Sequence, residues 1–321
     1  RMLPIVDFKQ CRPSVEASDK EINETAKLLV DALSTVGFAY LKNCGIKKET
    51  VEEARNTADE IFNAPTDKKK DYVVDRETNF GYIGLNIEKV NPAKPYDYKE
   101  AFNVPNSALD PSTEPKWPHE LSPNFASLTK SFMEDCKRLS LRILEVIAVG
   151  LQLKDRHALE KAHDCMGRKN NMGGVRYLYY PPIKGELELN QERLGEHSDY
   201  GSITLLFVDD NGGLQIETEG TYKDVPVIED TILINIGDAL EFWTKGKLRS
   251  TKHRVNIPDD EVKRNSIRRS IGYFVFPDDD VVINQPLQFK GDADVPDPVK
   301  DPITALKYIQ QKLLVIHPME I

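Results

Sequence analysis

The sequence predicts an α+β, mainly β protein in which a strand-rich barrel is flanked by helices. Three observations point there. Between Gly174 and Phe276, β-rich runs such as Ile203-Thr204-Leu205-Leu206-Phe207-Val208 alternate with glycine-bearing turns such as Asp209-Asp210-Asn211-Gly212-Gly213. Upstream of that region, apolar residues recur at helical spacing instead. The chain of 321 residues is also long enough to bury a substantial core without staples, and β-barrel enzymes of this length often remain one domain.

Ser18-Asp19-Lys20-Glu21 has capping-box spacing, and Ile22, Ala26, Leu29 and Leu33 then fall on one helical face. Gly37 ends that helix. Phe38 to Leu41 reads as a strand and Asn43-Cys44-Gly45 as a turn, with Cys44 a packing residue. A second amphipathic helix uses Val51, Ala54, Ala58 and Ile61 and stops before Pro65. Val73 to Ser122 is rich in Pro, Asn, Asp and Tyr with little periodicity; Phe80, Tyr82, Tyr96, Tyr98 and Phe102 favour an irregular ordered segment over a disordered linker. The longest helix begins near Pro123, and Leu128, Phe132, Leu139, Ile143 and Val146 mark it as a buried support. After the strand-rich region, Asp301-Pro302 starts a last helix bearing Leu306, Ile309 and Leu313. The expected organisation is a single unit over 1–321, with an N-terminal helix, strand and loop region over 1–122 and the support helix, barrel and C-terminal helix over 123–321.

A net charge of −9 argues against a surface that binds a nucleic-acid backbone. No apolar run approaches the ~18 residues of a membrane span, and the N-terminus lacks the apolar segment of a secretory signal. Cys11, Cys44, Cys136 and Cys165 show no Cys-x-x-Cys pairing, so reduced thiols in a soluble cytoplasmic protein are expected, unless a targeting segment has been removed. Oligomeric state is left open.

The chemistry concentrates in Gly195-Glu196-His197-Ser198-Asp199-Tyr200-Gly201-Ser202 and, further on, Ser250-Thr251-Lys252-His253-Arg254-Val255. His197 and Asp199, two apart on an extended segment, point to one side, and His253 can complete the set from a distant strand. Two imidazoles and a carboxylate occupy one face of an octahedral metal and leave positions open, the facial triad of non-haem Fe(II) oxygenases. His119, His157, His163 and His317 have no partner at ligand spacing and read as surface or structural residues.

A lone His-x-Asp pair is weak evidence, but its neighbours strengthen it. The pair is followed by Gly212-Gly213-Leu214-Gln215-Ile216, Asn235-Ile236-Gly237-Asp238, His253-Arg254-Val255 and Arg268-Arg269-Ser270, and preceded by Tyr179-Tyr180-Pro181-Pro182, Leu3-Pro4-Ile5-Val6-Asp7-Phe8 and Gly37-Phe38-Ala39-Tyr40-Leu41. This order, over nearly the whole chain, resembles the isopenicillin-N-synthase-like branch of the 2-oxoglutarate/Fe(II)-dependent dioxygenases. The resemblance implies a double-stranded β-helix (jelly-roll) core, with Fe(II) on His197, Asp199 and His253, and 2-oxoglutarate and O₂ as cosubstrates. It further implies hydroxylation, desaturation or oxidative cyclisation of a small molecule, with release of succinate and CO₂, and a place in secondary metabolism.

Arg268 and Ser270 have period-two spacing, so one strand face presents a guanidinium and a hydroxyl together, while Arg269 faces the other side. In the resembled family this pair binds the distal carboxylate of 2-oxoglutarate, and Tyr180 matches a tyrosine that donates to the same cosubstrate. Where the commonest plant pattern has Asn, this chain has Leu178, and its Asn-His-Gly turn is altered to Asn43-Cys44-Gly45. Arg176, on the same face as Tyr180, is left with three readings: a replacement for that Asn, a contact to an acidic substrate, or a partner of a protein carboxylate. Family analogy places Tyr82 within Asn79 to Asn86, Phe102, Trp243 and the C-terminal helix on the substrate pocket. Two other classes remain, an iron oxidase of this fold that does not consume 2-oxoglutarate and a non-catalytic ligand receptor on the same scaffold.

Overall fold

Two sheets carry the site. The computed structural model describes residues 3–293 and 296–316, so His317 lies outside the described residues. The first half of the chain supplies β1 (Ile5–Asp7), α1 (Asp19–Thr35), β2 (Phe38–Lys42), α2 (Lys48–Phe62), α3 (Thr66–Lys69), β3 (Gly81–Ile83), β4 (Glu100–Pro105) and α4 (Phe125–Gly150). The second half supplies α5 (Ala158–Lys161), β5 (Gly174–Tyr180), β6 (Leu194–His197), β7 (Ile203–Val208), β8 (Leu214–Thr218) and β9 (Thr221–Asp224). It ends with β10 (Thr231–Ile236), α6 (Asp238–Trp243), β11 (His253–Val255), α7 (Glu261–Arg264), β12 (Arg268–Val275) and α8 (Ala305–Ile316).

The major sheet runs β1-β2-β10-β7-β12-β5-β4-β3 and the minor sheet β6-β11-β8-β9. Leu178, Tyr180, Leu214, Ile216, Leu233 and Val255 fill the interior of this jelly roll. Strand alternation sends Tyr177 and Tyr179 to the opposite face, where they join a larger core built with the helices. α4 lays Phe132, Met133, Cys136, Leu139, Ile143 and Val146 against that face, all fully buried. At roughly 1.5–3 kcal/mol per large apolar side chain, this helix is a principal support of the major sheet. α1 begins with the expected capping box, in which the Ser18 hydroxyl accepts from the Glu21 N–H and the Glu21 carboxylate accepts from the Ser18 N–H at 2.8 Å. Among the described residues no helix is long and apolar enough to cross a membrane.

Two elements differ from the sequence reading. The stretch from Val73 to Ser122 is ordered as expected, but it contributes β3 and β4 to the edge of the major sheet. β4 is buried on both faces, so it lacks the polar–apolar alternation that identifies a half-exposed strand. The last helix begins at Ala305 rather than at Asp301-Pro302, because the Thr304 hydroxyl accepts from the Lys307 N–H and caps it.

One close approach fixes the loop after Asp199. A Cβ on Gly237 would stand 2.3 Å from the Gly201 carbonyl oxygen, which is backbone and cannot yield. Gly237→Ala should therefore cost more than ~2 kcal/mol, an overpacking effect, seen as a lower midpoint in denaturant unfolding.

Candidate active site

β6 and β11 pair antiparallel with His197 directly opposite His253, so sheet register alone brings the two imidazoles together. Their ring centroids are 4.3 Å apart. Asp199 follows just beyond the end of β6, and its Oδ1 lies 3.7 Å from the Nε2 of each histidine. Each imidazole uses Nδ1 to reach a backbone carbonyl, His197 that of Gly195 at 2.8 Å and His253 that of Thr251 at 3.1 Å. With the proton placed on Nδ1, the Nε2 lone pairs are left for a metal. Burial, followed by the neighbouring His253, pushes His197 down to about 4, so it is neutral at ordinary pH and competent as a ligand. Burial alone would raise the Asp199 carboxyl, yet the imidazoles and the hydrogen bonds from Asn235 and Thr204 outweigh it and hold it below its usual range.

Those two hydrogen bonds orient the carboxylate. Thr204 on β7 and Asn235 on β10 are cross-strand partners, and both donate to Asp199 Oδ2, at 2.6 and 2.7 Å. Oδ1 is thereby left facing the imidazoles. At the start of α6 the N–H groups of Asp238 and Ala239 hold the carbonyls of Asp199 and Tyr200. The Asp238 carboxylate receives Ser198, Ser250 and Lys312, tying the segment before β11 and the helix α8 to the loop that carries Asp199. His163, expected as a surface or structural residue, is structural: fully buried, it joins the Leu159 carbonyl at 2.7 Å to the Ser202 hydroxyl at 2.8 Å. Asn235→Ala should weaken metal binding about 10–100-fold, the range for a residue that orients a ligand, as measured by anaerobic metal titration.

Deeper in the barrel, β12 and β5 pair with Arg268 opposite Tyr180 and Ser270 opposite Leu178. The Arg268 guanidinium lies 4.7 Å over the Tyr180 ring, donates from Nε to the Gly212 carbonyl at 2.5 Å and lies 3.4 Å from the Ser270 hydroxyl. Gly212 and Gly213 have φ of 65° and 87°, and this left-handed turn presents the carbonyl to Arg268. Arg268 is almost fully buried and has no ion-pair partner among the described residues. Among the same residues, the buried Tyr180 hydroxyl has no hydrogen-bond partner. A buried guanidinium and phenol left over in this way fit an incoming carboxylate. As alternation required, Arg269 points the other way and pairs with Asp59 at 2.7 Å.

The N-terminal family, described as the non-haem dioxygenase in morphine synthesis N-terminal, matches residues 3–126, and the 2OG-Fe(II) oxygenase superfamily matches residues 170–277. The 2-oxoglutarate-dependent dioxygenase frbA of Dothideomycetidae sp. (strain 11243) is 32% identical, over 99% of this chain and 98% of its own. The chain belongs to the 2-oxoglutarate/Fe(II) oxygenase superfamily. The dioxygenase htyE of Aspergillus rugulosus is 30% identical over 96% and 97% of the two chains. A full-length Neurospora crassa protein, crystallised in complex with alpha-KG and thymine, superimposes at a TM-score of 0.83 with 32% identity, covering 98% of this chain and 96% of that one. This oxygenase is therefore an oxidoreductase that uses Fe(II) as its metal and 2-oxoglutarate as its cosubstrate.

Beside the triad, a cavity of about 290 Å³ reaches His197, Ser198 and Asp199. Its walls combine Leu178, Met172, Tyr200, Phe276, Ile309 and Leu313 with the polar residues Asn79, Asn103, Lys99 and Arg176. Asn79 and the C-terminal helix, through Ile309 and Leu313, line this cavity. Tyr82, Phe102 and Trp243 do not. Tyr82 hydrogen-bonds Glu100 in the outer core, and Phe102 is fully buried between Phe80 and Phe125. On β4 it is Asn103, one residue later, that faces the cavity. Trp243 is buried at the end of α6 and donates to the Gln285 carbonyl.

Arg176 does line the cavity, but it is paired with Glu88. Burial would raise the Glu88 carboxyl, yet Arg176 and Lys99 together hold it at about 2. Of the three readings of Arg176, the geometry agrees with the partner of a protein carboxylate, since the anion beside this partly buried guanidinium is Glu88. No sequence signal marks Glu88, which lies far from Arg176 along the chain. The structure also groups Glu145, His157 and Glu160, but Glu145 is already committed to Arg142 and Arg156.

Proposed function

We propose that His197, Asp199 and His253 hold the Fe(II) of this oxygenase, and that Arg268, Ser270 and Tyr180 hold the distal carboxylate of 2-oxoglutarate. The donor set supports the first assignment and the unpaired Arg268 and Tyr180 hydroxyl support the second. With metal and cosubstrate bound, O₂ is consumed to oxidise a substrate C–H bond as 2-oxoglutarate is split into succinate and CO₂. The chain's own part is to orient. Asn235 and Thr204 fix the carboxylate ligand, and the Gly195 and Thr251 carbonyls fix the two imidazoles.

The primary substrate, in this reading, is a small uncharged molecule with an apolar body and neighbouring hydrogen-bond donor and acceptor groups, such as an amide, imide or lactam. One observation carries it. Two buried polar atoms of cavity-lining residues lack partners among the described residues, the Asn103 Oδ1 acceptor and the Arg176 Nε donor, while the Arg176 charge is already met by Glu88. The complexes of the Neurospora crassa protein with thymine and with 5-formyluracil support a ligand of that size and polarity. A carboxylate substrate would add an anion beside Glu88.

The test is succinate release across a panel of neutral lactams and pyrimidines set against carboxylic acids of similar size. Neutral compounds should stimulate turnover; stimulation by acids alone would overturn the substrate assignment. Asn103→Leu should cut substrate-coupled turnover roughly tenfold or more, by stranding the partner group, while leaving substrate-independent decay of 2-oxoglutarate nearly unchanged.

A further inference from the structure

A second arginine lies within electrostatic reach of Arg268, and no carboxylate among the described residues forms an ion pair with it. Arg193 immediately precedes β6 and is fully buried. Its Nη2 reaches the carbonyls of Lys263, Arg264 and Ser266 at 3.3–3.4 Å, in the segment that leads directly into Arg268. Its Nε and Nη1 have no hydrogen-bond partner among the described residues. The next residue, Leu194, packs on the interior cluster that contains Tyr180, Leu178 and Val255. Among the described residues Arg193 makes no ion pair, and neither does Arg268.

Two buried guanidinium groups without carboxylates are a costly arrangement, since desolvating a charge is tolerated only when a counter-charge meets it. Partly buried arginines nearby have one: Arg176 on the cavity wall has Glu88, and Arg254 on the outer face of the minor sheet has Glu192. Three carbonyl contacts near the outer limit of hydrogen bonding supply dipoles but no charge. Burial and the neighbouring Arg268 push Arg193 below its ordinary range, outweighing the opposing pull of Tyr180, Asp209 and Tyr98. A dianionic cosubstrate is the ligand that would supply a counter-charge here.

We propose that Arg193 is a second cation of the 2-oxoglutarate site, neutralising the distal carboxylate together with Arg268. This rests on the assignment of that carboxylate to Arg268 and Ser270. The consequence is selectivity. A 2-oxo acid without a distal carboxylate would leave two buried cations uncompensated instead of one, and would be rejected the more strongly.

The test is anaerobic calorimetric titration of the Fe(II)-loaded protein with 2-oxoglutarate and, in parallel, with 2-oxopentanoate, which lacks the distal carboxylate. Arg193→Gln keeps a donor for the loop carbonyls but removes the charge; Arg193→Lys keeps the charge. The Gln variant should bind 2-oxoglutarate about tenfold or more weakly while 2-oxopentanoate binding shifts less than about threefold, and the Lys variant should retain most of the affinity for 2-oxoglutarate. Equal weakening toward both ligands, or none toward either, would overturn the proposal and leave Arg193 as a prop for the 263–266 loop. A melting temperature recorded for each variant without ligand separates loss of fold from loss of binding. Arg268→Met is the control: unchanged 2-oxoglutarate affinity there would overturn the site assignment itself, and this inference with it.

Discussion

His253→Ala is expected to abolish substrate-dependent succinate release and to lower Fe(II) affinity by more than about a hundredfold. The magnitude follows from a comparison. Removing an outer group that merely orients a ligand costs about 10–100-fold, so deleting one of the three proposed donors must cost more. The change removes a ring that stands opposite His197 in the sheet and edge-on to Phe38, at a ring-centroid distance of 5.4 Å. Anaerobic titration with Fe(II), read beside thermal melting, separates lost ligation from lost packing. His157→Ala is the control, because His157 is exposed and its neighbour Glu145 is held by two arginines. Full metal content and activity in the His253 variant, or loss of both in the His157 variant, would show that the metal is held elsewhere.

The parts of this protein legible in its sequence are those where a local rule and a local motif coincide. α1 is marked by its own capping box and apolar face, and β12 by a period-two pair whose two faces the structure separates as alternation demands. The opposition of His197 and His253 is legible only as a requirement for a partner strand; its realisation depends on the register of β6 and β11. β4 is hidden because burial on both faces erases the pattern by which strands are recognised. Thr204 and Asn235 stand in view as polar residues within apolar strands, a signal of inward-facing hydrogen bonding that a motif reading passes over. Glu88 and Arg193 cannot be assigned from sequence, because their roles depend on which distant charges fail or manage to reach them. Aromatic residues are the least informative, since Phe102 and Trp243 serve the core as readily as a pocket.

Arg268→Met should raise the apparent KM for 2-oxoglutarate by one to two orders of magnitude, about what one charge-assisted bidentate contact of ~1.5–3 kcal/mol supplies. Methionine keeps much of the length and the apolar stem of the side chain, so the interior packing around Tyr180 changes little. Its paired variant is Arg269→Met, which breaks only a partly exposed ion pair to Asp59 on the outer face and should leave KM within about twofold, with a stability loss of no more than ~1 kcal/mol. The comparison isolates the face of the strand, because the two substitutions are chemically identical and adjacent. Steady-state kinetics at saturating substrate with 2-oxoglutarate varied gives the answer. A larger effect at Arg269 than at Arg268 would mean that β12 presents the opposite face to the cosubstrate, and that the unpaired guanidinium inside the barrel has some other anion.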